Sequence, residues 1–306
     1  MAGTKLKVLQ KGTTIRGKFG SYIIKEKLGR GGNGEVFEVD IKNSNIGLAK
    51  CDSYAIKILN LEEISTEKER EKRYERFQDE IRSVRDVQYD IEGIIPVFDA
   101  SFDMDVKVEF DWYLMPKASE YRFRNSSLKT ILQDMRQLAY TIDELHKRNY
   151  MHRDIKPDNL LWYKGRIYLS DFGLVWNPWK NSLTTSKDKM GPIAIRPPEL
   201  DEVDDTKEVD YTKSDVYLFA KTMWIILTGR RQGFTGEYRR DEKQIYLDKK
   251  LFHVCTLEPI HIMLEMATKH FFMDRINIED CILLTPLYNL LKQPQHCLTS
   301  RCKTFI

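Results

Sequence analysis

"HRDIKPDN" fills residues 152–159. An Arg stands directly before an Asp, a Lys follows two positions after that Asp, and an Asn five positions after it. Clusters of charge, Pro and Asn commonly form turns. Asp154, Lys156 and Asn159 are also the side chains needed to handle a polyphosphate and its metal ions: the Asp and Asn oxygens suit hard cations, and the Lys ammonium suits phosphate charge. The chain on either side decides between a plain turn and a site.

On the N-terminal side, "YIIKEKLGRGGNGEVFEVD" (22–40) reads as two β-runs around a glycine cluster. Within it "GRGGNG" (29–34) fits G-x-G-x-x-G through Gly29, Gly31 and Gly34. A dinucleotide fold needs a helix after such glycines. Here "EVFEVD" follows, which is another strand. A glycine hairpin between strands can fold over phosphates and offer backbone N–H groups without side-chain obstruction. "DSYAIKIL" (52–59) predicts a third strand. Residues 61–87 are dense in alternating charge, with Phe77, Ile81 and Val84 on one stripe, which predicts a largely solvated helix with one buried face. "IIPVFDASFDM" (94–104) and "VEFDWYLM" (108–115) predict two more strands, while residues 1–20 read as basic and irregular.

After Met115 the pattern turns helical. "SSLKTILQDMRQLAYTIDELHKR" (126–148) repeats its apolar residues at helical spacing, with Ser126 or Ser127 available as N-cap. "TKSDVYLFAKTMWIILT" (212–228) is apolar nearly all round and predicts a buried helix, and residues 258–291 supply further helical pattern.

Taken in order with "AIK" (55–57), "DFG" (171–173) and "PPE" (197–199), the opening motif makes the chain resemble a eukaryotic-type protein kinase, most like the Ser/Thr enzymes, over roughly residues 20–290. The resemblance implies an α+β, bilobal protein-kinase fold. It implies an N-terminal extension (1–20), a β-rich N-terminal lobe with one regulatory helix (21–115), a hinge (116–120), a mainly helical C-terminal lobe (121–291) and a tail (292–306).

It also implies roles, with ATP and Mg²⁺ as the cofactors. Lys57 is expected on the α- and β-phosphates. Its carboxylate partner is expected to be Glu80, which matches the family's ion-pair position and lies beside the apolar stripe, ahead of Glu75 and Asp79. Asp154 is the expected catalytic base or orienting group for the substrate hydroxyl, Lys156 the neutraliser of the transferring phosphate, and Asp171 and Asn159 the Mg²⁺ ligands. Leu28, Val36 and Ala55 are expected to roof an adenine slot, with Leu161 as its floor and Met115 guarding its back. The Pro116 carbonyl and the Ala118 N–H are expected to meet the adenine edge. Arg153 is expected to dock a phosphate carried by Ser182, Thr184, Thr185 or Ser186, which would make the chain a phosphoprotein. Glu199 is expected to pair with Arg275, and Asp215 to hold the backbone of the opening motif. One departure is Pro192, which stands where Ser/Thr members of the family usually carry a Thr, and bears on Ser/Thr as against dual or Tyr specificity.

The totals agree with this reading. The chain has 306 residues, 42% hydrophobic and 31% charged, with a net charge of +3, so no polyanionic partner is indicated. Five scattered cysteines form neither a disulfide framework nor a zinc spacing. No apolar segment opens the chain, and the longest apolar runs, such as "MWIIL" (223–227), are far short of a membrane span. The expectation is a cytoplasmic enzyme acting on protein substrates, with an activating kinase or a second copy of itself as further partner, and no nucleic acid or membrane. The rivals are a catalytically inactive kinase-fold scaffold and a small-molecule kinase; the first would lack a phosphate or metal residue, and the second would not carry "HRDIKPDN" or "PPE".

Overall fold

The alternation of the N-terminal runs produces six antiparallel strands. In this computed structural model, which describes residues 9–31, 34–44, 48–60, 64, 66–104, 110–123, 126–177, 193–200, 209–247 and 257–285, they are β1 (Thr14–Arg16), β2 (Ser21–Gly31), β3 (Gly34–Lys42), β4 (Tyr54–Leu59), β5 (Asp99–Ala100) and β6 (Trp112–Pro116), in spatial order β1-β2-β3-β4-β6-β5. Side chains alternate across a strand, so one face of the sheet collects Tyr22, Ile24, Phe37, Val39, Ile56, Ile58, Trp112 and Leu114 into a core. Tyr22 meets Trp112 edge-on at 5.4 Å between ring centroids. Ala55 and Lys57 take the alternate positions on β4, where register sets Val36 and Tyr113 on either side of Lys57 and places Met115 opposite Ala55.

Two expectations need correction. Residues 14–16 are not irregular: they pair with Ser21–Ile23 as an extra edge strand. The strand expected over 94–104 shrinks to Asp99–Ala100, followed by a 3₁₀ turn at Ser101–Asp103. Gly93 has a positive φ of 89°, and Pro96 offers no N–H, so the segment cannot run as one ladder. Instead the Gln88 side chain accepts from Val97 N and donates to its carbonyl, and Leu169 N donates to Gly93 O.

The charged stretch folds as α1 (Glu67–Val87), capped by Thr66, whose hydroxyl accepts from Glu69 N. Its buried face holds Phe77, Glu80, Ile81 and Val84. Glu80 therefore sits one turn from Phe77 and from Val84, inside the apolar stripe, whereas Glu75 is exposed. A second sheet is formed by β7 (Ser119–Glu120), β8 (Leu160–Tyr163) and β9 (Arg166–Leu169). It draws residues 161–175 back to the N-terminal half, so one compact unit comprises Met1–Glu120 with Leu161–Val175 and the other Tyr121–Leu160 with Trp176–Ile306.

The second unit is mainly helical. Its helices among the described residues are α2 (Leu128–Lys147), α3 (Tyr211–Thr228), α4 (Glu258–Ala267) and α5 (Ile278–Leu284). Of the two candidate caps for α2, Ser127 is the one used, accepting from Thr130 N. Asp210 caps α3, and Gly229 ends it with φ 65°, a conformation that favours glycine. Arg136 on α2 donates to the carbonyls of Ile282 and Thr285 and so ties down the end of α5. Among the described residues no helix is long and apolar enough to cross a membrane.

Helix α3 buries an amine. Lys221 is fully buried and donates to the carbonyls of Phe234 and Gly236, with its Nζ 3.3 Å from the Phe234 ring centroid. Burial, helped by the charge of Arg275, pushes its pKa from the ordinary 10.5 down to about 6. Between those values the unfolded chain binds a proton that the folded chain does not, so folding stability rises with pH across that window and is flat below it. The slope has a ceiling of about 1.4 kcal/mol per pH unit. Replacing Lys221 by Met removes this slope. It also strips two buried carbonyls of their donor at a cost of about 1–3 kcal/mol. Urea midpoints from pH 6 to 9 are expected to climb in the wild type relative to Lys221→Met; parallel curves would refute the assignment.

Candidate active site

In the first unit the core alternation that sends Ile56 and Ile58 inward leaves Lys57 on the opposite face of β4. Its Nζ donates to both carboxylate oxygens of Glu80, at 2.8 and 2.9 Å, and lies 3.5 Å from Asp171 Oδ1. Lys57 and Glu80 are 5% and 1% exposed. Burial disfavours the ammonium, but the carboxylates of Asp171 and Glu80 outweigh it and hold Lys57 charged well above the ordinary lysine range. Asp171 follows β9, which is anchored at Leu169, and adopts φ 64°. A non-glycine residue in the left-handed region is strained, and such strain persists where the surroundings over-determine it.

The residues expected around adenine belong to the same unit. Leu28 lies on β2, Val36 on β3, Ala55 on β4, and Met115 and Pro116 on β6; Ala118 follows, and Leu161 sits on β8 opposite Glu120. Gly29 pairs with Val36, and Gly31 with Gly34 across the turn of the hairpin. A Cβ on Gly34 would lie 2.3 Å from Ile58 O, so the close β3–β4 approach at that point requires glycine. Leu28, at 39% exposure, and the half-buried Val36, Met115, Ala118 and Leu161 leave apolar surface accessible. The segment is braced from outside: Lys117 donates to Glu38, and Lys117 N to Ser53 O.

The second unit holds the opening motif. Lys156 Nζ donates to both oxygens of Asp154, at 2.9 and 2.7 Å. Asn159 Nδ2 donates to the Asp154 carbonyl at 2.7 Å and to Asp154 Oδ2 at 2.9 Å. The loop is held from beneath by Asp215 on α3, which accepts from His152 N at 2.8 Å and from Arg153 N at 2.7 Å. Arg153 has φ 64°, and its guanidinium lies 4.4 Å from the Tyr211 ring centroid. Glu199 and Arg275 form a two-pronged buried pair, at 2.6 and 2.8 Å.

The structure thus brings together Lys57, Glu80 and Asp171 in one unit and Asp154, Lys156 and Asn159 in the other. Ser182, Thr184, Thr185, Ser186 and Pro192 lie outside the described residues. Three supporting side chains carry no local sequence signal for their role. Tyr113 donates to Glu80 Oε1 at 2.8 Å, His146 Nε2 lies 3.0 Å from Asp215 Oδ2, and Thr222 donates to Ile155 O at 3.1 Å. Each is a long-range pairing that only the fold creates.

The model of the protein kinase domain matches residues 22–285. The chain belongs to that family. Its sheet-rich and mainly helical units are the two lobes of the protein-kinase fold. Among its relatives, a putative serine/threonine-protein kinase/receptor of Acanthamoeba polyphaga mimivirus is 28% identical over 218 residues, 67% of this chain and 12% of the relative. The serine/threonine-protein kinase PknH of Mycobacterium bovis is 28% identical over 222 residues, 69% of this chain and 33% of the relative. The dual specificity protein kinase Ttk of Danio rerio is 25% identical over 193 residues, 61% of this chain and 18% of the relative. The kinase-domain chain therefore spans a third or less of the length of these relatives.

Proposed function

We propose that the chain is an ATP- and Mg²⁺-dependent protein kinase that transfers the γ-phosphate to Ser and Thr hydroxyls of protein substrates, its own chain among them. The observation that carries this reading is the buried Lys57 ammonium shared between Glu80 and Asp171. Burying such charges is costly and is not explained by stability alone. An ammonium held by Glu80 is positioned to bind phosphate oxygens. Asp154, gripped by Lys156 and Asn159, is suited to orient an acceptor hydroxyl and take its proton.

The side chains also fit the metal. Asp171 in one unit and Asn159 in the other each carry an oxygen donor of the kind Mg²⁺ prefers, and Asn159 spends its Nδ2 donors on Asp154, which turns its Oδ1 the other way. When bound, Mg²⁺ would neutralise charge on the phosphates. Lys156 and the family's Ser/Thr-named relatives support Ser/Thr acceptors, and Pro192 together with the dual-specificity relative supports the second reading, in which Tyr is also accepted. Docking of a phosphate on Ser182, Thr184, Thr185 or Ser186 by Arg153 is part of the proposal, as is a cytoplasmic location, which rests on the scattered, odd-numbered cysteines of the sequence.

The test is γ-labelled ATP with the purified chain, with and without Mg²⁺, on itself and on a generic protein acceptor, followed by phosphoamino-acid analysis. Label on Ser and Thr that disappears with chelator is expected. Label on Tyr as well would favour dual specificity. No transfer under any condition would favour the inactive scaffold.

A further inference from the structure

The Glu80 carboxylate has a second partner. Tyr113 faces Lys57 across the β4–β6 ladder, and its hydroxyl donates to Glu80 Oε1 at 2.8 Å. Lys57 Nζ lies 5.6 Å from the Tyr113 ring centroid, so the same ring flanks the ammonium while its hydroxyl holds the carboxylate. The ring also packs against Phe77 of α1, at 5.4 Å between centroids. Tyr113 is 5% exposed and Glu80 1%, so water does not compete for this hydrogen bond. Burial, reinforced by the neighbouring Glu80 charge, pushes the phenol well above its ordinary range and keeps it a donor.

A carboxylate on a helix can rotate about its side-chain torsions, and the helix itself can shift. An ion pair alone restrains the distance between Glu80 and Lys57 more than the orientation of the carboxylate. A hydrogen bond from a rigid aromatic side chain, rooted in the strand next to Lys57, fixes the orientation as well. We infer that Tyr113 is a positioning residue: its hydroxyl locks the Glu80 carboxylate in the orientation that grips Lys57 and latches α1 to the sheet. This rests on the reading that the Lys57–Glu80 pair serves phosphoryl transfer.

Tyr113→Phe removes the hydroxyl and keeps the ring. The expected result is a loss of about tenfold in kcat/KM for ATP, the size of one hydrogen bond to a charged acceptor. Amide hydrogen exchange in α1 around residues 77–84 is expected to speed up. Protonation of Glu80 adds to that of Asp154 in the acid limb of the kcat/KM profile, and the Glu80 part is expected to move to higher pH, because Glu80 loses a donor that favours its charged form; the shift is expected to vanish against a Glu80→Gln background. Phe77→Leu disturbs the packing of the ring but keeps the hydroxyl, and is expected to leave the acid limb in place. In the double variant Tyr113→Phe/Glu80→Gln the two losses are expected not to add.

Unchanged α1 exchange and unchanged kcat/KM in Tyr113→Phe, additive losses, or an equal shift of the acid limb in Phe77→Leu would overturn the inference. If the wild-type chain transfers no phosphate, the proposed function fails, and the exchange experiment still decides the latch. If Tyr113→Phe does not fold, a slowly exchanging Tyr113 hydroxyl proton in the NMR spectrum of the wild type supports the bond, and its absence overturns it.

Discussion

Asp154→Asn is expected to lower kcat by about 10²–10⁴ with little change in ATP affinity, the range associated with removing a positioned acid or base. The substitution keeps the shape of the side chain and removes its charge and its capacity to take a proton. The surroundings make this a clean test. The loop carrying Asp154 is held by Asp215 through the N–H groups of His152 and Arg153, and by Thr222 through the Ile155 carbonyl, and none of these bonds involves the Asp154 side chain. Lys156, with 20% of its side chain accessible, and the buried Asn159 Nδ2 both lose the charge of their acceptor, so the loss in stability is about 1–3 kcal/mol. Initial rates at saturating and limiting ATP, together with a melting curve, separate the effects. A fall in kcat below tenfold with an intact fold would remove Asp154 from the role of base. A large rise in KM for ATP with kcat preserved would assign it to nucleotide binding instead.

The legible part of this protein lies where local chemistry and sequence order coincide. The glycine hairpin followed by a strand, rather than by a helix, was readable because alternation and glycine placement are local. Glu80 was legible because it matches the family's ion-pair position and lies beside the apolar stripe, and in the fold it is buried where Glu75 is exposed. What stayed hidden depends on pairing between distant segments. Residues 14–16 carry no strong strand pattern, and become a strand only because the edge of β2 is available. The run 94–104 has the composition of a strand, but Gly93 and Pro96 and the demands of Gln88 and Leu169 leave two paired residues. The return of residues 161–175 to the N-terminal unit follows from pairing of β7 with β8 and from the bridge between Ile94 and Leu169, which no window of sequence contains. Tyr113 looks like any aromatic residue of a core strand, and its register opposite Lys57 is what gives its hydroxyl a partner. Likewise Lys221 sits in an apolar run that predicts a buried helix, and nothing in that run announces the two carbonyls that receive its amine.

The largest loss of stability is expected at Arg275. Its side chain is fully buried and that of Glu199 is 7% exposed. Beyond its two bonds to Glu199, Arg275 donates to the carbonyls of Lys269, His270 and Lys213 and lies 4.6 Å from the Tyr217 ring centroid. Arg275→Met leaves the Glu199 carboxylate buried without its counter-charge, with the Ser214 hydroxyl as its remaining donor among the described residues, and strips three carbonyls at once. Breaking one side of a buried pair costs about 3–5 kcal/mol, which at a few degrees per kcal/mol lowers Tm by about 10 °C. Glu199→Gln keeps an acceptor for the guanidinium and leaves the three carbonyl bonds intact, so its loss is expected to be smaller. The double variant Glu199→Gln/Arg275→Met removes the orphaned carboxylate and is expected to regain part of what Arg275→Met loses. That ordering distinguishes a charge pair from a packing post. If the pair matters through charge, the double variant is more stable than Arg275→Met alone; if Arg275 matters only through its carbonyl bonds and the Tyr217 stack, the double variant is no better. Differential scanning calorimetry of the three variants reads the order directly, and an Arg275→Met variant that melts within 2 °C of the wild type would refute the account of this pair.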